Sequence, residues 1–347
     1  MKRASFAVPG DLTTPTGGYA YDRRVIDELR AMGWTVDVID LGAHFPFPSP
    51  EQRDAAHRLL TAAPRGPLIV DALAYSVMPE SAAALASTHR LIPLVHHPLA
   101  LEAGLSASQV MGLRESERAA LAAAHRVIAN STFTADLLIK DYGVPPGHIT
   151  IAEPGTDRAE AAPGSGSDIV QLLSVGSVTP RKGYDILVAA LAKVADLPWR
   201  LTIAGATTHS REAMALVERM VEQARLGQRI KFTGALSDDA LAAAYRFADM
   251  YVFASRLEGY GMAAASALAH GLPLVGTRGG ALADTIGQAG LLVPSDDVNA
   301  LADDLRQAIG DADKRRGLRV AARNAAQRLP TWRNTAEQFV AAIEAAA

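Results

Sequence analysis

The residues best suited to chemistry lie in the run Ser255-Arg256-Leu257-Glu258-Gly259-Tyr260-Gly261-Met262, which continues to Ala269-His270-Gly271-Leu272-Pro273. One apolar stretch, Asp249 to Phe253, precedes it and another, Pro273 to Gly276, follows. It therefore reads as a turn that opens a buried helix. A carboxylate on such a turn offers one strong acceptor, and the glycines after it leave backbone N–H groups bare. At a helix N-terminus those donors and the helix dipole favour an anion. A ligand that carries sugar hydroxyls next to a phosphate needs both features. The competing reading is a helix start with Glu258 as an acidic cap.

A second stretch, Gly176-Ser177-Val178-Thr179-Pro180-Arg181-Lys182-Gly183, follows another strand-like run. Adjacent cations in such a loop suit a diphosphate, Arg through forked hydrogen bonds and Lys as a point charge. As a loop cation, Lys182 is expected to contribute little to stability. Thr16-Gly17-Gly18-Tyr19 lies in the loop after the first strand, where backbone without side chains can approach a ligand closely. It is not a dinucleotide fingerprint, because no G-x-G-x-x-G follows that strand. Val95-His96-His97-Pro98-Leu99 ends a buried strand. Adjacent strand residues face opposite sides, so His96 and His97 do not readily share an ion. The expectation is no metal site, with one histidine turned to a ligand and the other packed. Asp311 and Asp313 stand beside Lys314, Arg315 and Arg316 on a surface helix, which reads as a solvated face. Glu102, Asp157 and Asp284 are isolated acids that the sequence assigns to nothing.

These loops need a scaffold that presents them, and the chain is long enough for two domains, with 347 residues. A formal net charge of −3 and no basic run argue against nucleic acid as a partner. The absence of cysteine excludes disulfides, thiolate metal sites and a cysteine nucleophile, and fits a reducing cytoplasm. Pro9 and Gly10 break the first apolar run, so it reads as a strand and not a signal peptide. No apolar run approaches the ~18 residues of a membrane span.

Strand candidates in the first half are Ser5–Val8, Thr35–Leu41, Leu68–Val70, Leu91–Val95, Val127–Ala129 and Ile149–Ala152. A second series comprises Val170–Val175, Arg200–Ala204, Arg229–Phe232, Met250–Phe253, Pro273–Gly276 and Leu291–Val293. Amphipathic stretches such as Tyr21–Met32 and Val110–Ala124 alternate with them, the pattern of parallel sheets wrapped by helices. The expected organisation is a Rossmann-like domain over residues 1–158, a Gly/Ser/Ala-rich linker over 159–168 and a second Rossmann-like domain over 169–328. A terminal helix fills 329–347, with Trp332, Phe339 and Ile343 as its apolar stripe. Ligands of doubly wound sheets bind beyond the carboxyl ends of the strands, which predicts a site in a cleft that the two domains face.

In order along the chain, T-G-G at Thr16–Gly18, V-H-H-P-L at Val95–Leu99, A-N-S-x-F-T at Ala129–Thr134 and E-P-G-T-D at Glu153–Asp157 are followed by P-R-K-G at Pro180–Gly183. L-T-I-A-G at Leu201–Gly205, E-G-Y-G-M at Glu258–Met262, H-G-L-P-L-V at His270–Val275 and G-G at Gly279–Gly280 complete the set. Together they resemble the family 4 glycosyltransferases, retaining enzymes of the two-domain GT-B fold. The resemblance implies transfer of a hexosyl unit from a UDP- or GDP-sugar to a hydroxyl of a lipid, saccharide or small molecule, without metal or cofactor. It gives Arg181 and Lys182 to the diphosphate and Glu258 to the donor sugar, with Gly259, Tyr260, Gly261 and Met262 supplying N–H groups. His97 would approach the sugar, and Gly17 and Gly18 would let the diphosphate come close. It also implies that the terminal helix crosses back to the first domain. A cytoplasmic protein is expected, with room for a peripheral contact at the inner membrane face if the acceptor is a lipid or glycan there.

One position departs from the family pattern. A second glutamate, which holds the nucleotide ribose, usually stands eight residues after the first; here that position is Ser266. A serine makes one neutral hydrogen bond where a carboxylate grips two hydroxyls. The alternatives within the fold are a nucleotide-sugar epimerase or a catalytically silent binding protein. A phosphorylase would need a lysine-bound pyridoxal phosphate, for which no lysine has a fitting context.

Overall fold

The computed structural model describes residues 2–346; Met1 and Ala347, the outermost residues of the expected first domain and terminal helix, lie outside them. Each of the twelve sequence-predicted strands is present. They are β1 (Arg3–Val8), β2 (Thr35–Asp40), β3 (Pro67–Asp71), β4 (Arg90–Val95), β5 (Val127–Ala129), β6 (Ile149–Ile151), β7 (Val170–Val175), β8 (Trp199–Ala204), β9 (Ile230–Phe232), β10 (Met250–Val252), β11 (Leu274–Thr277) and β12 (Gly290–Val293). Every pairing is parallel. β3 is buried at every residue and β4 at all but its first, as continuous apolar strands covered by helices on both faces must be.

The two sheets are wound differently. The first runs β2-β1-β3-β4-β5-β6, so the strand order reverses between β1 and β3. The second runs β12-β11-β10-β7-β8-β9, the dinucleotide-fold order, with its reversal between β7 and β10. At such a reversal the loops after the two flanking strands leave the sheet in opposite directions and open a crevice between them. The loops that follow β1, β3, β7 and β10 are therefore the ones placed to hold ligands.

The chain divides into two compact units. One holds the residues up to Gly155 together with those from Pro330 onward; the other is Thr156–Leu329. The terminal helix, Trp332–Ala345, begins with a reciprocal cap between Thr331 and Asn334 and buries Trp332, Phe339 and Ile343. Within the first unit, Phe339 stacks on Phe6 with centroids 6.3 Å apart, and the Thr335 hydroxyl donates to the Glu153 carbonyl at 2.7 Å.

The stretch 159–168 is held against the second unit. Ala162 is buried, and its N–H donates to the His270 carbonyl. The Ser165 N–H and hydroxyl both donate to the Asp249 carboxylate, at 2.9 and 2.7 Å. Small residues have little apolar surface to bury, but their backbone and hydroxyls can still be tied down by a neighbouring acid.

Candidate functional site

In the second unit the site is assembled from the loops after β7 and β10, on either side of the switch point. After β7 the chain makes a short turn, Pro180–Lys182, and passes through Gly183 into the helix Tyr184–Ala192. Gly183 has φ +63°, and a Cβ there would lie 2.0 Å from the Ala254 carbonyl oxygen. Only glycine lets this turn press against the end of β10. The Arg256 N–H donates to the Arg181 carbonyl at 2.8 Å, and the Arg256 guanidinium grips Asp185 at 2.7 and 3.1 Å, so the two loops are bolted together.

Glu258 meets the cations in this frame. Lys182 Nζ donates to Glu258 Oε1 at 2.6 Å, and the Ser255 hydroxyl donates to the same oxygen at 2.7 Å. Arg181 stands 3.4 Å from Oε2 and donates to the Leu257 carbonyl at 2.9 Å. The Glu258 side chain is only 12% exposed, while Arg181 and Lys182 keep about a fifth of their surface, 20% and 19%. Burial alone would push this carboxyl up, but the charges of Lys182 and Arg181 outweigh it and hold the group at about 2. It is ionised throughout the physiological range.

The backbone of Glu258 is locked by the Gly279-Gly280 loop, its N–H donating to the Gly279 carbonyl and its carbonyl accepting from Ala281. The helix Met262–Ala269 then starts at Gly261, with φ +99° and no side-chain cap. Glu258 is therefore not the capping residue; its charge is spent on Lys182 and Arg181. Tyr260 is buried, and its carbonyl accepts from Thr285 at 2.6 Å. Behind Glu258 and Lys182 lies a cavity of about 20 Å³, space for one water-sized group, bordered by Tyr184, Tyr251 and Ala264.

Ser266 sits one turn and a half further along this helix, half-buried, where its hydroxyl neighbours the buried Tyr245 phenol. Its carbonyl is 2.8 Å from His270 Nδ1. It takes no part in the Arg181–Lys182–Glu258 cluster.

The first unit carries the remaining candidates. Gly17 and Gly18 begin the helix Gly17–Ala31, capped by the Thr16 hydroxyl. The two histidines lie just beyond the end of β4 and turn apart. His97 Nε2 is 3.1 Å from Glu102, which gives that isolated acid a partner. His96 faces Asp22 and Asp71 instead. Asp311 caps the helix Ala312–Ala326 by accepting from the N–H groups of Asp313 and Lys314, in keeping with a solvated surface.

Several contributors escaped the sequence reading. Ser255, which orients Glu258, and the Arg256–Asp185 clasp depend on contacts that local pattern does not encode. Asp22 did leave a signal: it falls on the buried face of its helix with Tyr21, Val25, Ile26 and Leu29, where a charge needs a reason.

Two doubly wound units, one with an ion-paired carboxylate, two cations and an uncapped helix start at its switch point, define a GT-B architecture suited to hydroxyls and phosphate. Residues 20–160 match the family model described as Glycosyltransferase Family 4, and residues 170–311 match that of Glycosyl transferases group 1. The chain belongs to the family 4 glycosyltransferases, as its motif order implied. It is 31% identical over 269 residues to D-inositol 3-phosphate glycosyltransferase 1 of Catenulispora acidiphila, covering 69% of this chain and 63% of that protein. Among solved structures, sucrose-phosphate synthase from Thermosynechococcus elongatus superposes with a TM-score of 0.81 at 23% identity, covering 98% of each chain. Anabaena Alr3699/HepE in complex with UDP and glucose gives 0.73 at 17% identity, covering 99% of each. The chain spans about three fifths of the length of the curated relatives it first matches, at 63%, 62% and 62%. Among the described residues no helix is long and apolar enough to cross a membrane.

Proposed function

We propose that this protein is a glycosyltransferase that moves a hexosyl group from a nucleoside-diphosphate sugar, with UDP or GDP as the nucleotide, to an acceptor hydroxyl with retention of anomeric configuration. The observation that carries the reading is the ionised Glu258, held by Lys182 and Arg181 at the switch point of the second unit beside an uncapped helix N-terminus. Glu258 accepts from hydroxyls of the donor sugar. Only part of its acceptor capacity is used by Lys182, Ser255 and Arg181, since a carboxylate has about four lone-pair sites. Lys182 and Arg181 also neutralise the diphosphate, aided by the N–H groups of Gly259 to Met262. The first unit contributes His97, with Gly17 and Gly18 as bare backbone.

In the reaction the bond from the anomeric carbon to the diphosphate oxygen breaks, and the bond to the acceptor oxygen forms on the same face. The acceptor's proton passes to the departing phosphate oxygen, so no protein nucleophile takes part. Negative charge grows on the leaving diphosphate, and fixed cations aimed at it are worth more in this half-buried setting than in water. The leaving group then needs no metal of its own. The Anabaena relative's complex with UDP and glucose supports a UDP-sugar as the first donor to test. The inositol phosphate in the name of the Catenulispora relative supports a small hydroxylated acceptor.

The test is incubation with UDP- and GDP-hexoses and a panel of polyol and sugar acceptors, following nucleoside diphosphate release and the anomeric configuration of the product by NMR. Release that depends on acceptor, with retained configuration, supports the reading. A donor epimerised without acceptor would favour an epimerase. The absence of both turnover and a thermal shift with every nucleotide would refute it. A silent binding protein is the second reading, favoured by Ser266; it predicts a thermal shift without release.

A further inference from the structure

The first unit holds a charged cluster that the proposed transfer does not use. Asp22 comes from the helix Gly17–Ala31, Asp71 from the carboxyl end of β3, and His96 follows β4; they meet beside the switch point between β1 and β3. Asp22 is completely buried, and neither of its carboxylate oxygens receives a hydrogen bond. His96 Nε2 is likewise buried without one. It stands 3.4 Å from Asp22 Oδ1 and 3.6 Å from Asp71 Oδ2, and the three ligand atoms lie within 4.8 Å of one another. Asp71 is held in place because its other oxygen accepts from the Leu73 N–H at 2.7 Å. The His96 and Tyr21 rings meet at right angles with centroids 5.3 Å apart, and the Tyr21 hydroxyl is anchored on the Ala152 carbonyl.

A buried carboxylate without donors needs a cation. A proton on His96 is one candidate. A charge-assisted N–H···O bond would then draw Nε2 to roughly 2.7–2.9 Å of one carboxylate. Nε2 instead stands nearly equidistant from both, within ion-pair distance of each but longer than such a bond to either. Those two separations match ligands around a shared ion: with metal–ligand distances of about 2.0–2.2 Å, the edges of a tetrahedron measure roughly 3.3–3.6 Å. An octahedral magnesium would bring adjacent ligands to roughly 3.0 Å. Two carboxylates and one neutral imidazole also balance a divalent charge.

We infer that Asp22, Asp71 and His96 form a zinc-type divalent-metal site in the first unit, with the fourth position open beside the Gly17-Gly18 loop. Nε2 lies 3.6 Å from where a Cβ on Gly18 would stand, so this glycine borders the cluster. The sequence-based expectation of no metal weighed the His96–His97 pair, the Asp311–Asp313 pair and the Arg181–Lys182 charges; the present cluster joins one of those histidines to two acids from other elements.

The site is tested on the whole protein, stripped by chelator and titrated with Zn²⁺ against a chromophoric competitor, with bound metal counted by elemental analysis. The expected result is one tightly held ion per chain, weakened at least ~100-fold by His96→Ala or Asp22→Asn and retained by His97→Ala. Wild-type protein that binds no stoichiometric zinc, or a folded His96→Ala variant that binds it as well, overturns the proposal. A readout on the unaltered chain covers the case of a variant that fails to fold. Zinc should shift the His96 ring signals in NMR, and an imidazole that stays doubly protonated and unmoved by zinc also overturns it.

Discussion

Replacing Lys182 with alanine tests whether Glu258 is held as the structure has it. The carboxyl falls from an ordinary 4.5 to about 2, a difference of about 3 kcal/mol by linkage. Because the folded-state value is depressed, that stability is fully present above pH ~4.5 and is lost as pH falls toward 2. Coulomb attraction varies as the inverse of distance, so Lys182 at 2.6 Å supplies somewhat more than half of the cationic attraction and Arg181 at 3.4 Å the rest. The two together must exceed the net effect, since burial opposes them. Lys182→Ala should therefore cost at least ~2 kcal/mol, against the small effect expected of a solvated loop cation. The carboxyl should also move back toward its ordinary value. Hydrogen exchange of β7 and β10 at neutral pH reads this locally: 2 kcal/mol corresponds to roughly a 30-fold loss of protection. Adding Glu258→Gln to the lysine variant removes the abandoned charge and should restore most of the protection. Wild-type protection in Lys182→Ala, or no recovery in the double variant, would refute the ion-pair account.

Other perturbations reach different parts of the molecule. Gly183→Ala combines a φ of +63° with a Cβ 2.0 Å from the Ala254 oxygen, so it should cost several kcal/mol and lower the melting temperature by several degrees, along with nucleotide affinity. Burial pushes the Glu117 carboxyl up to about 7, although Ser76 and the Leu99 N–H donate to it and Tyr142 lies close. Its folded-state value is raised, so stability is greatest below pH ~4.5 and falls as pH rises through 7; Glu117→Gln should flatten that fall in urea titrations from pH 5 to 8. Ser266→Glu should tighten UDP or GDP binding up to about tenfold in calorimetry if this position faces the ribose, a charge-assisted bond being worth ~1.5–3 kcal/mol against about 1 for a neutral one. Equal affinity in a well-folded variant would mean that the serine serves Tyr245 and not the nucleotide.

Local pattern was enough to read the scaffold. A strand of a parallel sheet is apolar on both faces and a wrapping helix on one, so twelve strands and the apolar stripe of Trp332, Phe339 and Ile343 stand in the chain as short periodic signals. Loop chemistry was legible for the same reason: Arg181, Lys182 and Glu258 each follow a recognisable strand, and residue type alone suggests their use. What the chain could not disclose is which distant loops share a crevice. Lys182 and Glu258 are separated by 76 residues, and only the reversal of strand order between β7 and β10 makes them an ion pair. Asp22, Asp71 and His96 carry no common spacing because each belongs to a different element, and the order β2-β1-β3-β4 in the first sheet is what gathers them. The stretch 159–168 shows another limit: composition suggested an interdomain linker, and nothing in it disclosed that one carboxylate, Asp249, binds it to the second unit. Periodicity records which face of its own element a residue buries; partners across the fold are chosen by topology, which decides which distant charges meet.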